Sequence, residues 1–281
     1  GLGAMGSGIC STLIAKGKNA TVYDINQDVL ESFKGTATIA TCPNEVLQNS
    51  DCIFLSLPSS NEVEPLVESF LTEGVKGKTI VDLSTSYPFS TMKLNKLIEE
   101  NGGVYVDAAL SGSPADCKTG KIMVLFGGDK IHFDRLKPTM ECFCGKYKYV
   151  GKSGSGHLAK LMMNFIGLSY VSLYAQTFPL TEKMGLDNNI LRELISESGL
   201  GCGTFQFYAP KLLSKTYDLA FAMELAHKDL TYVRQLFEEY QAPAFSLDGT
   251  LNLMRTGLKE GRGKKDVSEI CAVIHEFLES R

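Results

Sequence analysis

The sequence predicts an α/β protein, a mostly parallel sheet covered by helices on both faces and followed by an all-helical second half. Three observations carry that expectation. Short β-rich runs alternate with amphipathic runs through residues 1 to 150, a glycine-rich hexapeptide opens the chain, and from Gly156 onward apolar residues recur at helical spacing almost throughout.

In chain order, the loop GLGAMG (1–6) leads into a helical run ending near Lys16. ATVYD (20–24) reads as a strand, residues 27 to 34 as a helical run, and Thr38 to Ala40 as a short strand. CIFLSLP (52–58) is a strand with its exit loop, NEVEPLVESFL a helix, and KTIVDLST (78–85) a strand. STMKLNKLIEEN is a helix, and VYVDAAL and KIMVLF are strands. These runs form the repeated strand–helix–strand pattern of a sheet buried on both sides. Beyond Gly156 the helical period pauses at Gly185, at GLGCG (199–203) and around GRG (261–263). The change of period falls in GKSGSG, so the expected domains are 1–152 and 153–281, the second opened by a long helix. A glycine loop of this kind normally follows a central strand, so about six apolar residues are expected upstream of Gly1.

Charge and composition exclude several classes. A net charge of −4, with scattered lysines and arginines, offers no basic face, so no nucleic-acid partner is expected. The densest basic run, KEGRGKKD (259–266), is broken by glycines and acids and reads by default as a solvated loop. Eight cysteines without a CxxC pair, beside only four histidines, read as reduced thiols, with no metal site and no disulfide framework. Leu158 to Phe178 has the length of a membrane span, but Lys160, Asn164, Gln176 and several hydroxyls interrupt it; a core helix is expected and no membrane partner.

GLGAMG matches GxGxxG, whose glycines allow a tight turn and close approach of backbone to a pyrophosphate at a helix N-terminus. Asp24, eighteen residues after Gly6 at the end of a strand, stands where a carboxylate would bond the ribose hydroxyls of NAD and repel the 2′-phosphate of NADP. NAD is therefore favoured over NADP. Asp24 is equally placed to serve as a turn residue before Ile25 and Asn26, and Asn26 to help seat a phosphate. In GSGHLAKLMMN (154–164), Lys160 and Asn164 are four apart and share a helix face. A partly desolvated lysine exchanges protons near neutrality, as a general acid–base needs, and an amide beside it holds a substrate oxygen without adding charge. The alternative is a lysine that snorkels to solvent along its apolar stem. DAALSGSP (107–114) ends a strand, and Ser111–Gly112–Ser113 offers a hydroxyl and amides to a carboxylate, or is a plain tight turn. HKDL (227–230) puts Lys228 on a helix, either toward the same site or at a charged surface position.

Taken in order, GLGAMG, Leu57-Pro58, DLST, DAALSG with FGG, GSGHLAKLMMN, HKDL and GRGKKD resemble the β-hydroxyacid dehydrogenase family, the 3-hydroxyisobutyrate dehydrogenase-like enzymes, over essentially the whole chain. The resemblance implies a Rossmann-type, doubly wound domain, an all-α C-terminal domain, and NAD(P)-dependent oxidation of a short β-hydroxy acid or the reverse reduction. It also implies a homodimer or homotetramer. By the same resemblance, Gly1, Leu2, Gly3, Ala4, Met5 and Gly6 form the pyrophosphate loop, Asp24 the ribose site, and Leu57, Pro58 and Thr85 the path to the nicotinamide. Ser111, Gly112 and Ser113 would hold the substrate carboxylate, Lys160 would be the catalytic lysine, Asn164 its partner amide, and Lys228 a further substrate-site lysine. GRGKKD matches a segment near the mouth of the active site.

The chain departs from the family pattern where DAALSGS replaces DAPVSGG, where Met163 precedes Asn164, and at Gln176. These changes bear on the substrate rather than the reaction. Expected substrates are small carboxylic acids of the 3-hydroxyisobutyrate, tartronate semialdehyde or succinic semialdehyde type, in the cytoplasm or, after removal of a targeting segment, the mitochondrial matrix. Two other readings are a non-catalytic dinucleotide-binding sensor or assembly protein, and a relative of 6-phosphogluconate dehydrogenase. The second lacks an arginine cluster for a phosphate.

Overall fold

The computed structural model describes residues 1–280. The chain forms two compact units, Gly1–Lys160 and a second that starts at Leu161.

The first unit alternates helices and strands: α1 (Ala4–Ala15), β1 (Thr21–Val22), α2 (Gln27–Glu31), β2 (Thr38–Ile39), α3 (Pro43–Gln48), β3 (Cys52–Leu55), α4 (Ser60–Glu73), β4 (Thr79–Asp82), α5 (Pro88–Glu100), β5 (Val104–Ser111), α6 (Pro114–Lys118), β6 (Ile122–Gly127), α7 (Lys130–Met140) and β7 (Cys144–Gly151). β1 and β2 pair in parallel as a two-stranded sheet; β3 to β7 form a second sheet in sequential order. Every neighbour in that sheet is parallel except β5 and β6, which run antiparallel, with Asp107 opposite Gly127. The sheet is thus mostly parallel, as its near-continuous apolar strands predict.

Alternation along the strands decides which helices they meet. Ile80 and Tyr105 point to one face and join Val63, Val67 and Phe70 of α4 and Leu94 and Ile98 of α5. Their neighbours Val81 and Val106 point to the other face, with Ile9 of α1 and Phe133 and Leu136 of α7. Each such side chain, fully withdrawn from water, contributes about 1.5–3 kcal/mol. The sequence reading did not separate α3, α6, α7 or β7 from their surroundings.

The second unit is helical. α8 (Ser155–Lys183) crosses the division between the units, and α9 (Asn188–Glu197), α10 (Gly203–Ser214), α11 (Met223–Glu239), α12 (Phe245–Lys259), a 3-10 turn (Val267–Glu269) and α13 (Ile270–Glu279) follow. By length and composition α8 could cross a membrane. One of its faces is nonetheless packed: Leu161, Leu168, Val171, Ala175 and Phe178 are buried, and Phe178 stacks on Phe205 of α10. Its heptad-like spacing is that of a core helix.

Candidate active site

The start of α1 is built for an anion. Its N-cap is Gly3, no side chain caps it, and its first turn holds no acid. The leading amides face no internal carboxylate, and the helix dipole adds positive potential there. A Cβ on Gly6 would stand 2.2 Å from the Gly1 carbonyl oxygen, whereas one on Gly3 would meet nothing within 4 Å. Gly6 therefore keeps the turn tight, and the space outside Gly3 is open, which is what a dinucleotide pyrophosphate requires.

Asp24 lies at the exit of β1. Its Oδ2 accepts the Leu2 amide at 2.5 Å and its Oδ1 the Asn26 amide at 2.8 Å, so the turn role is realised. A carboxylate has about four acceptor positions, which leaves room for ribose hydroxyls. Asn26 is engaged elsewhere: its side-chain oxygen accepts the Asp28 amide and caps α2. Leu57 and Pro58 follow β3, and the Leu57 amide donates to the Ser84 hydroxyl at 3.0 Å. Thr85 lies half-buried just past β4.

At the end of β5, Ser111 is half-buried and Gly112 has φ +138°. A Cβ there would stand 2.7 Å from the Ile122 side chain, so glycine is required on both counts. Ser113 differs from expectation. It is the N-cap of α6 in a reciprocal capping box: its amide and hydroxyl both donate to Asp116 Oδ2, at 2.7 and 2.6 Å. The Ser113 amide, expected to donate to a substrate, is committed to Asp116 instead. Those two bonds, the hydroxyl's first, hold the Asp116 carboxyl below its usual range.

Lys160 lies half-buried in the second turn of α8, and Asn164 follows one turn on. Asn164 Nδ2 donates to Asp229 Oδ2 at 2.6 Å. Asp229, in α11, is 2% exposed, and its other oxygen lies 2.9 Å from the Lys228 ammonium. Lys228 also sits over the Tyr232 ring, 5.3 Å from its centroid. One buried carboxylate therefore fixes both Asn164 and Lys228. Sequence reasoning missed it, although an acid on the same helical face as Val233 and Leu236 must be partnered when buried. The GRGKKD run is largely structural: Arg262 pairs with Glu260, Glu269 and Glu276, and buried Asp266 accepts the Ala220 and Phe221 amides. Its Lys264 and Lys265 are exposed. Among the described residues no three His, Cys, Asp or Glu side chains converge to hold a metal ion.

A glycine-loop sheet unit in one chain with a helical unit opened by a lysine–amide helix has the layout of a nicotinamide-dependent oxidoreductase. The family models agree: residues 1–151 match the NAD binding domain of 6-phosphogluconate dehydrogenase, and residues 154–274 match the NAD-binding region of NADP-dependent 3-hydroxyisobutyrate dehydrogenase. Among characterised proteins, 2-(hydroxymethyl)glutarate dehydrogenase of Eubacterium barkeri is 29% identical over 97% of this chain and 92% of its own length. The mitochondrial 3-hydroxyisobutyrate dehydrogenase of Mus musculus is 28% identical over 98% and 86%. The solved Mycobacterium tuberculosis 3-hydroxyisobutyrate dehydrogenase with L-serine shares the fold with a TM-score of 0.90 at 20% identity, covering 98% of this chain and 97% of that one. The protein belongs to the β-hydroxyacid dehydrogenase family. It is accordingly an oxidoreductase that moves a hydride between NAD(P) and a short hydroxy acid or the matching aldehyde or keto acid.

Proposed function

We propose that the protein interconverts a small β-hydroxy acid and its semialdehyde, with NAD preferred to NADP. The observation that carries this reading is the Lys160–Asn164 pair on α8, with Asn164 anchored on buried Asp229. Bound NAD(P) would supply the hydride chemistry. Lys160 removes the proton from the substrate hydroxyl during oxidation and returns it to the carbonyl oxygen during reduction. Asn164, unable to rotate while bonded to Asp229, orients that oxygen. Ser111 and the Gly112 amide hold the carboxylate, and Lys228 adds positive potential. Gly1 to Gly6, Asp24, Leu57, Pro58 and Thr85 hold the dinucleotide, within a domain we take as 1–152, followed by a helical domain 153–281. The preference for NAD rests on the Asp24 charge. The names of the relatives, a hydroxymethyl diacid enzyme and a hydroxyisobutyrate enzyme, support a small acid.

The test is turnover of a panel of short hydroxy acids and aldehydes with both cofactors, for the parent chain and for Lys160→Ala. The variant should lose roughly 10²- to 10⁴-fold in turnover while still binding dinucleotide; near-parental turnover would remove Lys160 from its role.

Self-association into a dimer or tetramer, in the cytoplasm or mitochondrial matrix, belongs to the same proposal. α8 carries no charged residue from Leu161 to Thr181. Opposite its packed face, Met163, Ile166, Tyr170 and Leu173 form a stripe at intervals of three and four, continued seven residues on by Leu180, with Ile166 54% and Leu173 58% exposed. A second copy fits this stripe because two-fold pairing sets apolar groups against apolar groups and opposes no like charges. Leu173→Asp should shift the sedimenting mass toward monomer; an unchanged mass would exclude the stripe.

A further inference from the structure

Gly156, in the motif that opens the lysine helix, is hemmed in by the Leu125 carbonyl and by one carboxylate. Asp107 lies mid-strand in β5 and is fully buried. Its Oδ1 accepts the Gly154 amide at 2.8 Å and its Oδ2 the His157 amide at 3.0 Å. Because α8 begins at Ser155, these N–H groups belong to the residue before the helix and to its third residue. A helix cannot satisfy either from within. A Cβ on Gly156 would stand 2.8 Å from Asp107 Oδ2, and one on Gly127, opposite on β6, would stand 2.5 Å from it. Two glycines thus make room for a single side chain. Its charge also sits at the positive end of a 29-residue helix, where an anion is stabilised.

A second anchor lies beside the first. The ring of His157 is fully buried, with Nδ1 2.7 Å from the Thr91 hydroxyl. Its Nε2 is 3.7 Å from Asp82 Oδ2, beyond hydrogen-bonding distance. Asp82 is itself held by the Ser86 and Tyr105 hydroxyls at 2.8 and 2.9 Å. The first turn of α8 is therefore gripped on two sides by buried polar groups of the sheet unit.

We infer that Asp107 is the positioning residue for Lys160, an inference that rests on the function proposed above. Lys160 follows His157 by three residues, about 4.5 Å along the helix axis. Ser111 follows Asp107 by four residues on the same strand, about 13 Å away. One side chain thus ties the helix carrying the proton-transfer group to the strand that ends in the carboxylate-binding loop. Misplacement of a reacting group by about 1 Å costs on the order of 10²-fold in rate. Asp107 acts through α8, not on the substrate.

The experiment uses the full chain with 3-hydroxyisobutyrate and 2-(hydroxymethyl)glutarate, each also deuterated at the hydroxymethyl carbon. Asp107→Asn presents one acceptor and one donor to two N–H groups, so one bond is lost. The expected result is a fall in kcat of about 10- to 100-fold, with KM for the dinucleotide within about twofold and a larger primary isotope effect on kcat. Amide exchange in 154–160, read by mass spectrometry, should also quicken. A kcat per folded molecule and an isotope effect equal to the parent's would overturn the inference, as would unchanged exchange in that segment. If the parent itself turns over neither acid, it is the substrate reading that falls, and the exchange measurement still decides the role of Asp107. Should Asp107→Asn not fold, Gly127→Ala presses a methyl on both carboxylate oxygens without removing them and should give the same kinetic signature.

Discussion

α1 and α8 both open on GxG, and they use it in opposite ways. α1 follows GLG, and no side chain caps its leading amides. α8 begins within GSG, and the Asp107 carboxylate accepts amides of its start, those of Gly154 and His157. At α1 the glycine beside the helix start borders open space; at α8 the second glycine is hemmed in by a carbonyl and a carboxylate. Small residues in the first case admit a ligand from outside, and in the second they admit a charge from within. The same local pattern therefore leaves open which of the two a helix start does. The partner that tells them apart is remote in sequence: an aspartate inside an apolar strand, which burial obliges to find donors.

The comparison can be broken by making one helix start resemble the other. Gly3→Asp would give α1 its own carboxylate cap at a position whose φ of −60° suits any residue. Dinucleotide affinity should drop about 10- to 100-fold, or about 1.4–2.8 kcal/mol. Thermal stability should rise by only about a few tenths of a kcal/mol, because glycine is itself a tolerable N-cap. Titration by nicotinamide fluorescence checks the first and a melting curve the second; unchanged affinity would mean that the pyrophosphate lies elsewhere.

A smaller effect is expected at Asp24, which carries the fixed charge beside the glycine loop. Asp24→Asn keeps an acceptor for the Leu2 amide but removes the repulsion of a 2′-phosphate. The ratio of kcat/KM for NAD over NADP should fall about tenfold, equivalent to roughly 1.4 kcal/mol. An unchanged ratio would place the discrimination away from this carboxylate.

The smallest effect is at a third helix start, α6, where Ser113 and Asp116 cap each other. In the folded chain the Asp116 carboxyl is held below its usual range, chiefly by the Ser113 hydroxyl. The stabilisation is thus complete above the ordinary carboxylate value of about 3.9 and is lost as pH falls through the lower, folded value. Acidification should lower the protection of the Ser113 amide, that is, its exchange relative to an unstructured amide at the same pH, with little change in the global melt. Protection that ignores pH in that window would show that the bond is not made in solution.

Much of this was legible in the sequence. The parallel strands announced themselves as apolar runs such as TIVD, the glycine loop by its spacing, and α8 by a long helical period with a lone lysine. What escaped was of two kinds. α7 contains Pro138 and little apolar surface, and β7, CGKYKYVG, alternates lysine with tyrosine, so neither stood out as a core element. The carboxylates of Asp82, Asp107 and Asp229 escaped for a different reason. Each was read as part of the motif it sits in, whereas each also has a partner amide, hydroxyl or side-chain amide 23 to 65 residues away. A buried acid in an apolar stretch was the available signal, and it identifies the need for a partner without naming one.

The lysines that hid β7 have a consequence of their own. β7 ends the five-stranded sheet, so one side of its backbone has no neighbouring strand, and Lys146 and Lys148 stand exposed along it. An uncovered strand is a template on which other chains can add by backbone pairing, the first step toward insoluble aggregates, and charged lysines at alternate positions oppose that addition. The residues that made the strand hard to recognise thus protect the sheet from unwanted growth at that edge.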